Sequence, residues 1–511
     1  MKNNRPLLRS VCKLAMILLC GITAGFLLLM AAYALPLAPI ARNVALSAQA
    51  FDGSWETGEI RYEQLVKGYL TTQLDNSTDA AMLLAAARKS DEPLWRQAAQ
   101  TAVYTAPGGP YAALIAYAQS GGETLGSASV ARYWLGFLVY VKPLLLLGSY
   151  LDIRALQTVL QGLLLCAVLV GLCYRGLIRF TPAFALSLVC LTPAVTGFSL
   201  QFSTVYGVLL LSSLLILFLP RATETRFRTA VVFLLTGMVT NYIDYLTYPI
   251  ASFGVPFVLY LLTRPSVSKQ DGAVRFLMCL GAWLAGYFGM WAGKWGIALL
   301  LDGDPWFWAN LVAKISERSS YAADGAALTY VEVLRSVFQV FQKKAYLLLA
   351  IGVTVGYGIA WLRVRFRRRS VGRPVPGDIG LASQRATQAG SVAGRSVGVD
   401  GHAVPAAVQS GRMPCGQGFA LVCTALLPFL WYLLTSNHTY NHAFFTSRAL
   451  VVTVFAVCAL ATYPLRSRRA RSGDPDALST DAANPRLPAD LSGNATGEEG
   501  VMPFSQVRHG P

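Results

Sequence analysis

The chain has 511 residues, 54% of them hydrophobic and 14% charged, with a mean hydropathy of +0.46 and a formal charge of +17. That usage lies far outside soluble globular proteins, and the apolar residues come in runs of roughly 20, the length that crosses a bilayer. An excess of Lys and Arg can mark nucleic-acid binding, but no basic stripe here carries a nucleic-acid motif, so no nucleic-acid partner is expected.

Residues 1–13 are basic, with Lys2, Arg5, Arg9 and Lys13. The apolar stretch from Leu14 to about Leu37 is too long for a signal-peptide core and leads to no small-residue cleavage site. It therefore reads as a retained first span. Hydropathy and turn signals predict an all-α polytopic membrane protein with about ten helices, at 14–38, 154–174, 181–199, 202–219, 229–246, 249–263, 276–300, 345–362, 416–434 and 448–465.

Every second junction between these spans is basic: Arg175 and Arg179; Arg221, Arg226 and Arg228; Arg264, Lys269 and Arg275; the run from Arg363 to Arg369; and Arg466 to Arg471. This positive-inside alternation predicts a multi-pass protein of the cell membrane with both termini in the cytoplasm. All nine cysteines fall in spans or on the predicted inner side, and no CxxC metal site occurs.

Residues 14–465 then form the membrane domain, with outer loops at 39–132 and 302–343. In the first loop, DAAMLLAAARK from Asp79 is rich in helix formers, with Thr78 or Asp79 available as N-cap. RYWLGFLVYVKPLLLLGSY, 132–150, is apolar but broken by Lys142-Pro143, which suits a helix lying in the interface or bending back before the second span. Segments 364–415 and 466–511 are rich in Gly, Ser, Ala, Pro and Arg without apolar periodicity, and read as disordered cytoplasmic pieces drawn to anionic lipid.

Charges near a membrane span are costly unless they meet protein, water or a partner, so they are default candidates for function. With this topology they collect on the outer face: Asp75 and Asp79, Arg132 and Lys142, Asp244, Lys294, Arg318, and His438, His442 and Arg448. Each also has a structural role open to it. Asp79 can cap a helix, Asp244 the turn before Pro249, Asp75 can be a solvated loop carboxylate, and Lys294 and Arg448 can snorkel to headgroups. The stretch TSNHTYNHAFFTSR, 435–448, holds two of the four histidines at an i, i+4 spacing that shares a face if helical. With Arg448, Arg318 and Lys294 it suits a lipid-linked phosphate better than a zinc ion, which needs about four ligands.

This layout, together with RYWLGFLVYVKPLL, DYLTYP and NHTYNHAFFTSR, resembles the GT-C glycosyltransferases over roughly residues 10 to 465. The resemblance implies a GT-C-like fold and transfer of a sugar from a polyprenyl-phosphate donor, with inversion, to a cell-envelope glycan, glycolipid or protein. It implies that an acid of the first outer loop is the catalytic base, which Asp79 in STDAAML matches best and Asp75 second. Asp244 would then position the acceptor or a metal, since some members use a divalent cation, and the cations would meet the donor phosphate. The chain departs from the pattern in spacing its two aspartates four apart, and in carrying Leu135 where a histidine is expected. A transporter or flippase of a lipid-linked saccharide or another anion is the alternative, and a scaffold a third reading. The lack of an internal repeat and the gathering of polar groups at one face favour the enzyme.

Overall fold

Long runs of Leu, Val, Ala and Phe propagate helix readily and bury their backbone polar groups within the segment, as a bilayer requires. The computed structural model is accordingly almost all helix; it describes residues 5–51, 63–266, 268–301, 303–323, 326–370 and 413–463. In chain order the helices are α1 (Arg5–Tyr33), α2 (Leu37–Ser47), α3 (Asn76–Ala87), α4 (Leu94–Gln100), α5 (Pro110–Ser120), α6 (Leu138–Leu147), α7 (Tyr150–Tyr174), α8 (Thr181–Leu191), α9 (Pro193–Thr196), α10 (Leu200–Phe218), α11 (Arg226–Ile243) and α12 (Ile250–Thr263). They continue as α13 (Lys269–Leu301), α14 (Phe307–Ser319), α15 (Tyr330–Gln339), α16 (Lys344–Ser370), α17 (Cys415–Leu434), α18 (Ser436–Asn441), α19 (Ala443–Thr446) and α20 (Leu450–Thr462). Two small antiparallel pairs complete it: β1 (Ala102–Thr105) with β2 (Gly126–Ser129), and β3 (Ala322–Ala323) with β4 (Ala326–Ala327).

Among the described residues, seven helical stretches are long and apolar enough to cross a membrane: α1, α7, α10, α13, α16, α17 and residues 443–462. The other three expected spans also coincide with helices, but these fall short. α8 and α12 have 11 and 14 residues, and α11 opens with two arginines in 18. α8 stops because Thr192 takes a left-handed φ of 48° directly before Pro193, so the expected 181–199 span is two helices and a turn. α16 continues through Ser370, past the point where disorder is expected, while the rest of that segment up to 412 and the tail from 464 lie outside the described residues.

The core is in two parts. One runs among α8, α10, α11, α12, α13, α17 and α20. The other gathers the carboxyl end of α1 with α2, α3, α5, α6 and the start of α7, so the segment between α1 and α7 folds around its own apolar centre. The 132–150 segment is helical only from Leu138, with Pro143 inside, and Gly148 separates it from α7, whose start Ser149 and Asp152 close with a capping box.

α11 and α13 cross backbone to backbone. A Cβ on Gly237 would lie 2.1 Å from the Trp283 carbonyl oxygen, and one on Gly286 would lie 2.1 Å from that of Leu234. Only glycine permits this mutual approach, the small-residue contact by which membrane helices pack without a hydrophobic drive between them. Replacing either Gly237 or Gly286 by Ala is expected to destabilise the protein by about 1–3 kcal/mol through overpacking, read as a lower thermal midpoint in detergent. Gly281→Ala, where a methyl meets open space on the same helix, should leave the midpoint within error.

Candidate functional site

Several of the candidate charges are held by the ends of helices. Asp79 is fully buried. Its Oδ1 accepts from Ser199 Oγ (3.1 Å) and the Gln201 N–H (3.0 Å), and its Oδ2 from the Leu200 N–H (2.9 Å) and the Tyr150 hydroxyl. Those two N–H groups are the first of α10, and Ser199 is its N-cap. The carboxyl thus sits on a helix amino terminus, where negative charge is favoured. Burial pushes the Asp79 carboxyl upward, while these donors and the Arg154 charge act against it. Asp75 caps α3, accepting from the Thr78 N–H (3.1 Å) and hydroxyl (2.8 Å).

The buried cations do the converse at carboxyl ends. Lys294 Nζ donates to the Ala98 and Ala99 carbonyls (2.8 and 2.6 Å) in the last turn of α4. Arg448 donates to the Leu191 carbonyl at the end of α8 and to the Thr71 carbonyl (3.3 Å), with its guanidinium 4.5 Å from the Phe202 ring centre. Lys142 is 2% exposed on α6, its Nζ 5.2 Å from the ring centre of Tyr33. Burial pushes its ammonium down to about 8. Asp79, Lys294 and Arg448 thus each meet the end of a different helix.

Asp244, Arg132, Arg318 and the histidines do come together. Asp244 follows α11 and folds the chain back towards α12: its carboxyl accepts from the Thr247 N–H (3.0 Å) and hydroxyl (2.6 Å), with Thr204 of α10 at 3.4 Å. This is the turn before Pro249 that the sequence offers as its structural role. Within the turn Leu246 adopts a left-handed φ of 66°, and its carbonyl meets His438 Nε2 at 2.8 Å. Irregular backbone this deep is tolerated where protein surrounds it or it lines a cavity.

His438 and His442 stand with ring centres 4.9 Å apart, and His442 stacks on Phe445 at 5.1 Å. His438 lies within α18 and His442 caps its carboxyl end, so the pair converges as the spacing predicts. Burial, with Arg318 and His442 nearby, holds His438 well below the usual imidazole range. It is neutral at pH 7, and with its Nε2–H on the Leu246 carbonyl it keeps Nδ1 as an acceptor.

Beside this turn, Arg132 and Arg318 place their guanidinium groups 5.1 and 5.6 Å from the ring centre of Tyr133. Tyr287 of α13 lies within electrostatic reach of Asp244, Tyr133 and Arg318. Asn241 stands one helical turn beyond Gly237, on the side of α11 that meets α13, and both of its buried amide atoms lack a hydrogen-bond partner. Gln201 Oε1, one turn from Thr204, is likewise buried and unmet. Tyr140 lies within electrostatic reach of both Asp79 and Asp244.

A second left-handed leucine borders the same region. Leu135 has φ 52°, and the Gly136 N–H after it donates to the Tyr242 carbonyl (2.9 Å), an approach that a Cβ on Gly136 would block at 2.4 Å. Histidine, expected at 135, enters this backbone region more readily than leucine. Two such outliers beside unsatisfied amides are the kind of stored strain that marks functional sites. Asn241, Tyr287 and Tyr133 were not singled out by sequence; only Asn241, in the NYIDYLTYP run, carries a signal of its own.

Among the described residues no three His, Cys, Asp or Glu side chains converge as metal ligands, so no step through a cation is derived.

Removing the Asp79 carboxyl leaves two helix N–H groups and the Ser199 hydroxyl without this acceptor, and the Tyr150 hydroxyl with only the Phe198 carbonyl at 3.4 Å. Asp79→Ala should therefore destabilise by about 3–5 kcal/mol, seen as poor yield and a lowered thermal midpoint. An unchanged midpoint would rule out the anchoring role. Because His438 is depressed in the fold, the unfolded chain takes up a proton near pH 6.5 that the folded protein refuses. Stability is present above that pH and lost as pH falls below it, and His438→Gln should flatten this acid limb of a midpoint-against-pH curve. No family model, curated protein or solved structure matches the chain, so what the site does is argued from its geometry.

Proposed function

We propose that the chain is a membrane glycosyltransferase that moves a sugar from a polyprenyl-phosphate donor to a cell-envelope glycan, glycolipid or protein. The reaction would take place at the outer face, with the arginine-rich junctions in the cytoplasm. The observation that carries the proposal is the Arg132–Tyr133–Arg318 stack beside Asp244. Two guanidinium groups give the fixed, fork-shaped donors that a departing phosphate needs. Unmet amides on Asn241 and Gln201 offer hydrogen bonds to hydroxyl groups, and Tyr133, Tyr245 and Tyr287 supply ring faces for a sugar or an isoprenoid.

In this reading the acceptor hydroxyl attacks the anomeric carbon as the bond from that carbon to the phosphate oxygen breaks. The proton passes to Asp244, and the phosphate leaves against Arg132 and Arg318. We assign the base to Asp244 instead of Asp79, because Asp244 shares the surroundings of Tyr287 with Arg318, while Asp79 is fully buried with two donors on each carboxyl oxygen. Asp79, Lys294 and Arg448 become positioning residues that hold α10, α4 and α8. Asp75, buried at the start of α3, stays the second carboxyl, and His438 and His442 brace the turn that carries Asp244.

In membranes supplied with a labelled polyprenyl-phosphate sugar, Asp244→Asn and Arg318→Gln should each lower transfer by about 100-fold or more, with thermal midpoints near wild type. Transfer by Asp244→Asn at the wild-type rate would sink the assignment.

A further inference from the structure

Between α1, α10 and α11, running from Val239 towards the opposite end of α11 from Asp244, lies a groove of about 560 Å³ walled by Ile17, Val208, Leu215, Val231, Leu235 and Val239. Its two hydroxyls, Ser212 and Thr236, hydrogen-bond each other at 3.0 Å, and Thr236 also donates to the Val232 carbonyl. Nothing polar inside is left to recognise a polar guest. The size falls within the range of pockets that hold whole small molecules.

The mouth has the opposite character. Phe227 and Arg228 form its rim, and Lys13 Nζ sits 5.9 Å from the Phe227 ring centre. Arg221 and Arg226 are on the same junction. Glu224 pairs with Arg228 (2.9 Å) and Asp271 with Arg226 (3.8 Å) and Arg275 (3.0 Å). Lys13 and Arg221 have no carboxylate within ion-pair distance among the described residues, so the rim keeps an excess of positive charge.

We infer that this groove is a specific lipid site, holding one acyl chain of an anionic phospholipid whose phosphate is met by Lys13 and Arg228. Its occupant comes from the leaflet on the arginine-rich side, away from Asp244, so the site is separate from that of the proposed donor. Annular lipid would explain an apolar groove alone; the unpaired cations at one end call for a negative headgroup.

The test uses the full chain in detergent, with phosphatidylglycerol and phosphatidylcholine of identical chains, bound lipid being counted by native mass spectrometry. Wild type should retain phosphatidylglycerol about five-fold better, the preference that one unpaired cation confers, and lose most of that preference in molar salt. Lys13→Gln with Arg228→Gln should abolish the preference, and Val239→Trp, filling the groove, should expel both lipids. Equal retention of the two lipids by wild type, a preference that survives the double change, or normal binding to Val239→Trp would each overturn the inference. The wild-type comparison stands even if a variant folds poorly.

Discussion

A helix that ends away from water exposes unpaired peptide groups, and in a low-dielectric interior each one costs several kcal/mol. This chain breaks its helices repeatedly at such depths and meets the ends with buried charge. Asp75 and Asp79 lie at the amino termini of α3 and α10, while Lys294 and Arg448 lie at the carboxyl ends of α4 and α8. The signs follow the helix dipole in all four cases. An acid among greasy residues thereby becomes a joint between the outer loop and the membrane bundle, and the bundle's arrangement depends on these joints.

What is left over defines the site. Once the four joints and Lys142, which lies against Tyr33, are subtracted, Asp244, Arg132 and Arg318 remain, with His438 supporting the turn and His442 beside it. The glycine crossing of α11 on α13 draws the two backbones together just below, and one turn farther along Asn241 has both amide atoms unmet. Left-handed φ values at Leu135 and Leu246 hold the bordering backbone in shapes that leucine resists. Strain and unmet polarity thus meet beside Asp244.

Much of the fold is legible in the sequence, because a run of apolar residues announces itself by composition alone. Seven of the expected spans meet helices long and apolar enough to cross a membrane, and the break at Thr192-Pro193 is the sort of local punctuation that hydropathy averaging smooths over. The site is harder to read. Asp79, Lys294 and Asp244 look alike as isolated charges in apolar stretches, and what separates them is whether a distant helix ends beside them. Lys294 meets carbonyls 196 and 195 positions away, and Arg448 one 377 positions away. Such partners leave no local mark. The histidine pair was legible because its spacing is local, whereas Tyr287 is one aromatic among many.

The Lys294 joint bears on how the protein is made. The turn of α4 that it closes emerges from the ribosome 195 residues earlier, an interval of about 10–40 s at ordinary elongation speeds. Through that interval the end of α4 lacks its cation, and α13 must be made before the Trp134 and Trp295 indoles can donate across the seam to the Met290 and Arg132 carbonyls. Completion of the 63–150 region therefore waits on a later helix, and a chain stalled before that point would present a half-built domain to the quality-control machinery of the cell.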